Sequence, residues 1–229
     1  MSERELRVLR APAPELRAAD GEPPVLEGYG AVFNTYSRNL GGFVEQVDPG
    51  AFTDTLAQQG RDILGLINHD PNWLLASTQS GTLDLIADGT GLRYRMLLDE
   101  SDPDAQRAMS KVRTGKLRGS SFSFRAISDK WGTTEQGFPL RSLLAVELFD
   151  VGGVAMAAYP ATEAEGAAVA LRSLASFVNE PLDRVVAAAR SNTLAQLLGG
   201  PAPESPGAPS FPLRSQWAGR FGVRPPVGS

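Results

Sequence analysis

Between residues 25 and 160 short apolar runs alternate with clusters of turn formers, a texture of short strands with few helices. Residues 25–33 mix apolar side chains with Gly28 and Gly30, which predicts a strand whose backbone is closely approached. Asp48-Pro49-Gly50 is turn chemistry and can open a short helix over 51–59. The run 62–68 (DILGLIN) is apolar and ends at His69. A hairpin is the clearest local signal: 82–87 and 92–98 read as strands, with Asp88-Gly89-Thr90-Gly91 as the turn between them. Asp102 can cap a helix whose first position suits Pro103, so a helix is predicted to Thr114, with Gly115 as its stop. Strands follow over 117–127 and 142–151, separated by a loop around 132–139. A further apolar run, 154–159, is closed by Pro160.

The flanks have another texture. Residues 1–24 are charged, then rich in Ala and Pro, and read as a loose lead-in with one strand at 6–9. Residues 161–200 are Ala-rich with a helical period. There Pro181 starts a helix, Asn179 or Glu180 serves its first turn, and Leu182, Val185, Val186 and Ala189 share a face. From 200 to 229 the chain is rich in Pro, Gly and Ser, which predicts a disordered tail. The expected division is a lead-in (1–24), a β-rich domain (25–165), a helical extension (166–199) and the tail (200–229). The expected class is α+β, mainly β.

Composition narrows the chemistry. With 229 residues, 42% of them hydrophobic, the chain can bury a proper core. A net charge of −4 gives no electrostatic reason to expect nucleic acid as a partner. The absence of cysteine removes disulfides, a thiol nucleophile, iron–sulfur clusters and cysteine-bound zinc. The single histidine, His69, removes every site that needs two imidazoles. No apolar run approaches the roughly 18 residues that span a bilayer. Residues 1–10 are charged and lack the apolar stretch of a secretory signal. A soluble, cytoplasmic protein with neither metal nor cofactor is therefore expected.

Three segments could carry chemistry. His69 follows an apolar strand and precedes Asp70-Pro71, where a side chain can emerge at a strand end; taken alone it also suits a surface turn. In the run 119–125 (GSSFSFR), alternation sends Ser121 and Ser123 to one face and Phe122 and Phe124 to the other. Such a strand is either a nucleophile platform or an ordinary barrel strand. In the run 146–151 (VELFDV), Glu147 and Asp150 sit among apolar residues and need partners to offset desolvation. Three residues apart on a regular strand, they should face opposite sides. Hydroxyl, imidazole and carboxylate together would perform acyl transfer, but spacing alone does not bring them together.

The order of segments resembles the tailed-phage prohead protease family. The resemblance is carried by Gly28-Tyr29-Gly30-Ala31-Val32-Phe33, Val47-Asp48-Pro49-Gly50-Ala51-Phe52, Asn68-His69-Asp70 and Asp88-Gly89-Thr90-Gly91-Leu92. It continues through residues 116–124 (KLRGSSFSF), 147–151 (ELFDV) and 159–162 (YPAT), and so covers roughly 25–165. It implies a β-barrel flanked by helices, similar to the herpesvirus assemblins, and a serine endopeptidase that matures phage capsids. By that resemblance Ser121 is the nucleophile, His69 the base and Asp150 the third member, with Glu147 as the alternative to Asp150. The family's usual glycine is Ser123 here, and Gly152 stands where a serine is usual. The resemblance further implies scaffold or the major capsid protein as substrate, self-processing, a homo-oligomer, and action inside the immature capsid in the host cytoplasm. The alternative is a non-catalytic capsid-assembly or scaffold protein on the same barrel.

Overall fold

Short strands with one apolar face are stable only when that face meets another, and here two sheets supply the two faces. The computed structural model describes residues 4–9, 13–19, 21–155 and 160–200. In chain order the first strands are β1 (Glu5–Leu9), β2 (Glu15–Arg17), β3 (Val25–Val32) and β4 (Val44–Val47), followed by helix α1 (Thr53–Ala57). Next come β5 (Leu64–Leu66), β6 (Leu74–Ser77), β7 (Leu83–Ala87), β8 (Gly91–Leu97) and helix α2 (Pro103–Arg113). Two long strands, β9 (Gly119–Thr133) and β10 (Pro139–Val154), lead to helices α3 (Pro160–Val178), α4 (Leu182–Arg190) and α5 (Leu194–Leu197). The class is mixed α+β, mostly strands.

One sheet has six strands in the order β1-β9-β10-β5-β6, with β4 also paired to β10; the other has four, β2-β3-β8-β7. Their inner faces share a core in which Leu26, Leu92, Tyr94 and Met96 meet Phe122, Phe124, Leu148 and Val151, all fully buried. The sixteen-residue β10 organises the six-stranded sheet. One of its edges pairs with β9 along its length, while the other meets β4 at Leu140–Leu143 and β5 at Asp150–Val151, both in parallel. Register shifts at three places along β9–β10 bend this long ribbon so that the sheet curls into a half-barrel.

Local expectations are met where the signal was local. The hairpin β7–β8 forms, and Asp102 caps α2 by accepting from the Asp104 N–H at 2.8 Å, with Pro103 in the first turn. Gly115 stops that helix at φ 65°. The predicted strand at 25–33 is β3, and the close approach falls at Gly28, where a Cβ would lie 2.6 Å from the Tyr94 hydroxyl.

Elsewhere the structure departs from expectation. The lead-in contributes β1 and β2, one to each sheet. β4 and β6, too short to show a period, emerge beside strands that precede or follow them in the chain. Val154 closes β10 and does not open a new run; 156–159 and the tail 201–229 lie outside the described residues. Helices α3–α5 bury a second apolar cluster, in which Leu171, Leu174, Val185 and Leu194 cover Phe43 and Trp131. On α4, Val185 and Ala188 face inward while Leu182 is exposed.

What fixes β1 is electrostatic. Glu5, Arg7, Glu45 and Arg141 are almost completely buried and bonded to one another. Arg7 donates to Glu45 and Glu5 at 2.7 Å, and Arg141 donates to Glu5 at 2.7 Å and to Asp129 at 2.6 Å. Burial pulls both guanidinium groups down, but Glu45 and Glu5 outweigh it and hold both above the ordinary arginine value. A charge left alone in that cluster would be severely destabilising, so β1 is bound tightly to the sheet.

Candidate active site

Alternation along β9 separates its three serines. Phe122 and Phe124 point into the core, their rings stacked 4.9 Å apart, and Ser120 on the same side bonds the Tyr94 hydroxyl at 2.9 Å. Ser121 and Ser123 face the other way. They are fully buried there as well, so their hydroxyls need partners.

Those partners come from the loop after β5 and from β10. A tight turn joins Ile67 to Asp70, whose N–H bonds the Ile67 carbonyl at 3.1 Å. Both central residues, Asn68 and His69, have positive φ (55° and 56°). Non-glycine residues adopt that region only where the surroundings hold them, at a cost of order 1–3 kcal/mol each. Here the Asn68 N–H bonds the Gly153 carbonyl at 3.1 Å, and the Asn68 Oδ1 accepts from the Ala155 N–H at 3.0 Å. The turn is thus tied to the end of β10, and β10 can come so close because position 152 is glycine. A Cβ there would stand 1.7 Å from the Leu66 carbonyl oxygen.

The strained turn aims His69 inward. Its Nε2 lies 2.6 Å from the Ser121 Oγ, and its Nδ1 lies 2.5 Å from the Asp150 Oδ1. The second carboxylate oxygen of Asp150 accepts from the Ser123 hydroxyl and from Arg4. Ser121, His69 and Asp150, each expected from sequence, are therefore brought into one hydrogen-bonded chain. Ser123 is joined to it through the carboxylate.

The geometric expectation for Glu147 is corrected. Glu147 pairs with Arg125 and Asp150 with Ser123, so both acids lie on the same face of the sheet. The reason is a bulge: β10 has one residue more than β9 between these pairs, and Phe149 absorbs it. Distance along that face, not orientation, keeps Glu147 from the imidazole. Its carboxyl is bonded by Arg61 at 2.6 Å and paired with Arg125, and the Arg61 hydrogen bond above all holds it below the ordinary carboxylate range.

Arg4 was not visible from sequence. It lies 119 residues from Ser123 in a charged run with no pattern around it, and only the pairing of β1 with β9 brings it here. The same pairing gives Ser121 a second neighbour, because its Oγ also lies 2.7 Å from the Arg7 carbonyl oxygen.

A neutral imidazole that donates from Nδ1 to Asp150 keeps Nε2 as an acceptor, with the proton positions assigned from this network. The one hydroxyl proton of Ser121 then chooses between Nε2 and the Arg7 carbonyl, and turning from one to the other needs no heavy atom to move. The constellation suits acyl transfer: a weakly acidic hydroxyl, a base within reach, and a carboxylate to fix the tautomer. Ser121 has no exposed surface, so a peptide reaches it only when its cover shifts. Among the described residues no group of three or more His, Asp or Glu side chains is placed to hold a metal ion, and no helix is long and apolar enough to cross a membrane.

The chain is matched over residues 11–179 by the family described as caudovirus prohead serine protease. It is similar to the prohead protease of Enterobacteria phage HK97, with 28% identity over 150 residues. That match takes in 65% of this chain and 61% of the HK97 protein, so the chain spans less than two thirds of that relative's length. Among solved structures it is similar to the bacteriophage T4 capsid assembly protease. There the identity is 18% and the TM-score 0.44, over 66% of this chain and 98% of that one.

Proposed function

The chain belongs to the caudovirus prohead serine protease family, and on that premise we propose that it is a serine endopeptidase with Ser121 as nucleophile, His69 as base and Asp150 as orienting acid. The observation that carries the reading is the unbroken chain from the Ser121 Oγ through both imidazole nitrogens to the Asp150 carboxylate. A barrel with a purely structural role has no need of that order of groups, which disfavours a non-catalytic assembly protein.

With its hydroxyl proton turned to Nε2, Ser121 attacks the scissile carbonyl carbon. A carbon–oxygen bond forms as the proton passes to the imidazole, and the Asp150 carboxylate steadies the imidazolium. Collapse breaks the carbon–nitrogen bond, and Nε2 returns the proton to the departing amine. Water, deprotonated by the same nitrogen, then releases the acyl group. No cofactor or metal is needed. The proposed substrates are the scaffold or scaffold-like segments of the major capsid protein, and the chain itself, inside the immature shell in the host cytoplasm. The catalytic fold is proposed as an assemblin-like barrel over 25–165, with β1 and β2 added to it and the helices after 165 as an extension. The protein works as a homo-oligomer.

The test is intact-mass analysis of the purified chain over time, with and without diisopropyl fluorophosphate. Wild type should process itself and take up one organophosphoryl group at Ser121. Ser121→Ala should do neither while melting as wild type does, and His69→Ala should be nearly as severe, because such groups act as a unit. Processing that survives Ser121→Ala sinks the nucleophile assignment. A wild-type chain that stays whole and unlabelled favours the structural role.

A further inference from the structure

We infer that Arg4 is a positioning residue of this site, holding the Asp150 carboxylate in the orientation that keeps one oxygen on the imidazole. The inference rests on the serine-protease reading above and deepens it. A carboxylate turns freely about its Cβ–Cγ bond, so one oxygen stays aimed at His69 only where the other is held. The Arg4 Nη2 bonds both the Asp150 Oδ2 and the Ser123 Oγ, the latter at 2.7 Å, and Nε adds a bond to the same hydroxyl at 3.0 Å. Ser123 in turn donates to Oδ2. Oδ2 is therefore saturated, and Oδ1 is left for the Nδ1 proton.

Charge points the same way. Asp150 is 1% exposed, and a buried carboxylate keeps its charge only beside a cation or several donors. His69 cannot be that cation at rest, since it must stay neutral to accept the serine proton. Arg4 supplies a permanent one. Its guanidinium also lies over the Phe149 ring, 5.5 Å from the centroid, so the bulge that turns Asp150 inward provides the shelf on which Arg4 rests. Arg4 is kept in register by Glu5 and Arg7, locked in the buried ion cluster directly after it. Arg4, directly before β1, is thereby tied to the active centre through the strand that holds it in place.

The Arg4 side chain is about half exposed, which makes the inference testable by chemical rescue. The readout is the rate at which diisopropyl fluorophosphate modifies the full-length chain: Ser121 forms a phosphorus–oxygen bond, fluoride leaves, and the proton goes to His69 and then to water. Losing a charge-assisted hydrogen bond to a buried group should slow this on the order of tenfold to a hundredfold in Arg4→Ala. The melting midpoint should fall as well, since the buried Asp150 carboxylate loses its cation. Guanidinium at tens of millimolar should restore part of the rate in Arg4→Ala but none in Asp150→Ala, and sodium at equal ionic strength should restore none in either.

Arg4→Ala reacting within twofold of wild type overturns the inference. So does a slow Arg4→Ala whose rate guanidinium leaves unchanged, since a cation restored beside Asp150 would then not be what the site had lost. Should Arg4→Ala fail to fold, Arg4→Lys keeps the charge but cannot span both Ser123 and Asp150. It should then react several-fold more slowly than wild type, and a wild-type rate overturns the inference equally. A wild type that takes up no label at Ser121 overturns the nucleophile reading instead, so the two failures are told apart.

Discussion

Replacing Gly152 with alanine adds one methyl group at the point where the site is most tightly built. The new Cβ would stand 1.7 Å from the Leu66 carbonyl oxygen, and real Cβ atoms essentially never come within 3.0 Å of a neighbour. β5 and β10 must therefore part by at least about 1.3 Å, with backbone rather than a pliable side chain on the far side of the contact. The parallel pairing of Asp150 with Leu64 and Val151 with Gly65 lies next to that contact, as does the bond from Asn68 to Gly153. Overpacking costs about 1–3 kcal/mol, and one backbone bond lost adds about 1, so a loss of about 2–4 kcal/mol is expected. For a chain of this size that is a fall of about 4–16 °C in melting midpoint. If the turn rises with Leu66, the 2.6 Å separation of Nε2 and Oγ opens to roughly 3.9 Å, beyond hydrogen-bond reach. The assay pairs a thermal melt with the rate of Ser121 phosphorylation by diisopropyl fluorophosphate. Gly153→Ala is the control: its Cβ meets Pro14, Ile67 and Leu117 at an ordinary 3.5–3.6 Å and should change stability by less than about 1 kcal/mol. A Gly152→Ala protein that melts and reacts like wild type would refute the close approach of β10 to the histidine turn.

Other outcomes separate the two acids and test the ion cluster. Asp150→Asn should cut the Ser121 phosphorylation rate by about 10³–10⁴ with the fold intact, because an amide no longer selects the tautomer. Glu147→Gln should react within a few-fold of wild type; the opposite ranking in the same assay would reassign the third member. The Glu147 carboxyl is held below its ordinary value in the folded state, so its contribution to stability is present above pH 4.5 and is lost as the pH falls through the lowered folded value. Melting midpoints below pH 4.5 should accordingly fall less steeply in Glu147→Gln than in wild type; parallel curves would count against the Arg61 hydrogen bond. Arg141→Met leaves Glu5 and Glu45 with fewer cations in a buried setting and should cost about 3–5 kcal/mol by thermal or urea melting. A near-neutral result would mean the cluster is hydrated.

How much of this was legible before folding depends on whether a feature is local. The alternation that divides Ser121 and Ser123 from Phe122 and Phe124 is a property of one strand, and it holds. So do the capped helix after Asp102 and the hairpin around Asp88, because each follows from residues within a few positions of one another; His69, expected at a strand end, sits instead in the turn beyond β5. The clearest departure is the relation of Glu147 to Asp150. Counting by twos is right for a regular strand, but a bulge is created by the partner strand, and the partner of Phe149 cannot be read from Phe149.

The amino-acid order by itself determined the short-strand texture, the turns, and which hydroxyl, imidazole and carboxylate were available, since these depend on side-chain type and near-neighbour period. Only the tertiary structure decided that β10 lies between β9 on one side and β4 and β5 on the other, that Gly152 sits against the Leu66 carbonyl, and that Arg4 reaches Asp150 across 146 positions. Those contacts arise from strand pairing and buried charge, whose energies belong to pairs of residues that become neighbours only after the chain has closed on itself.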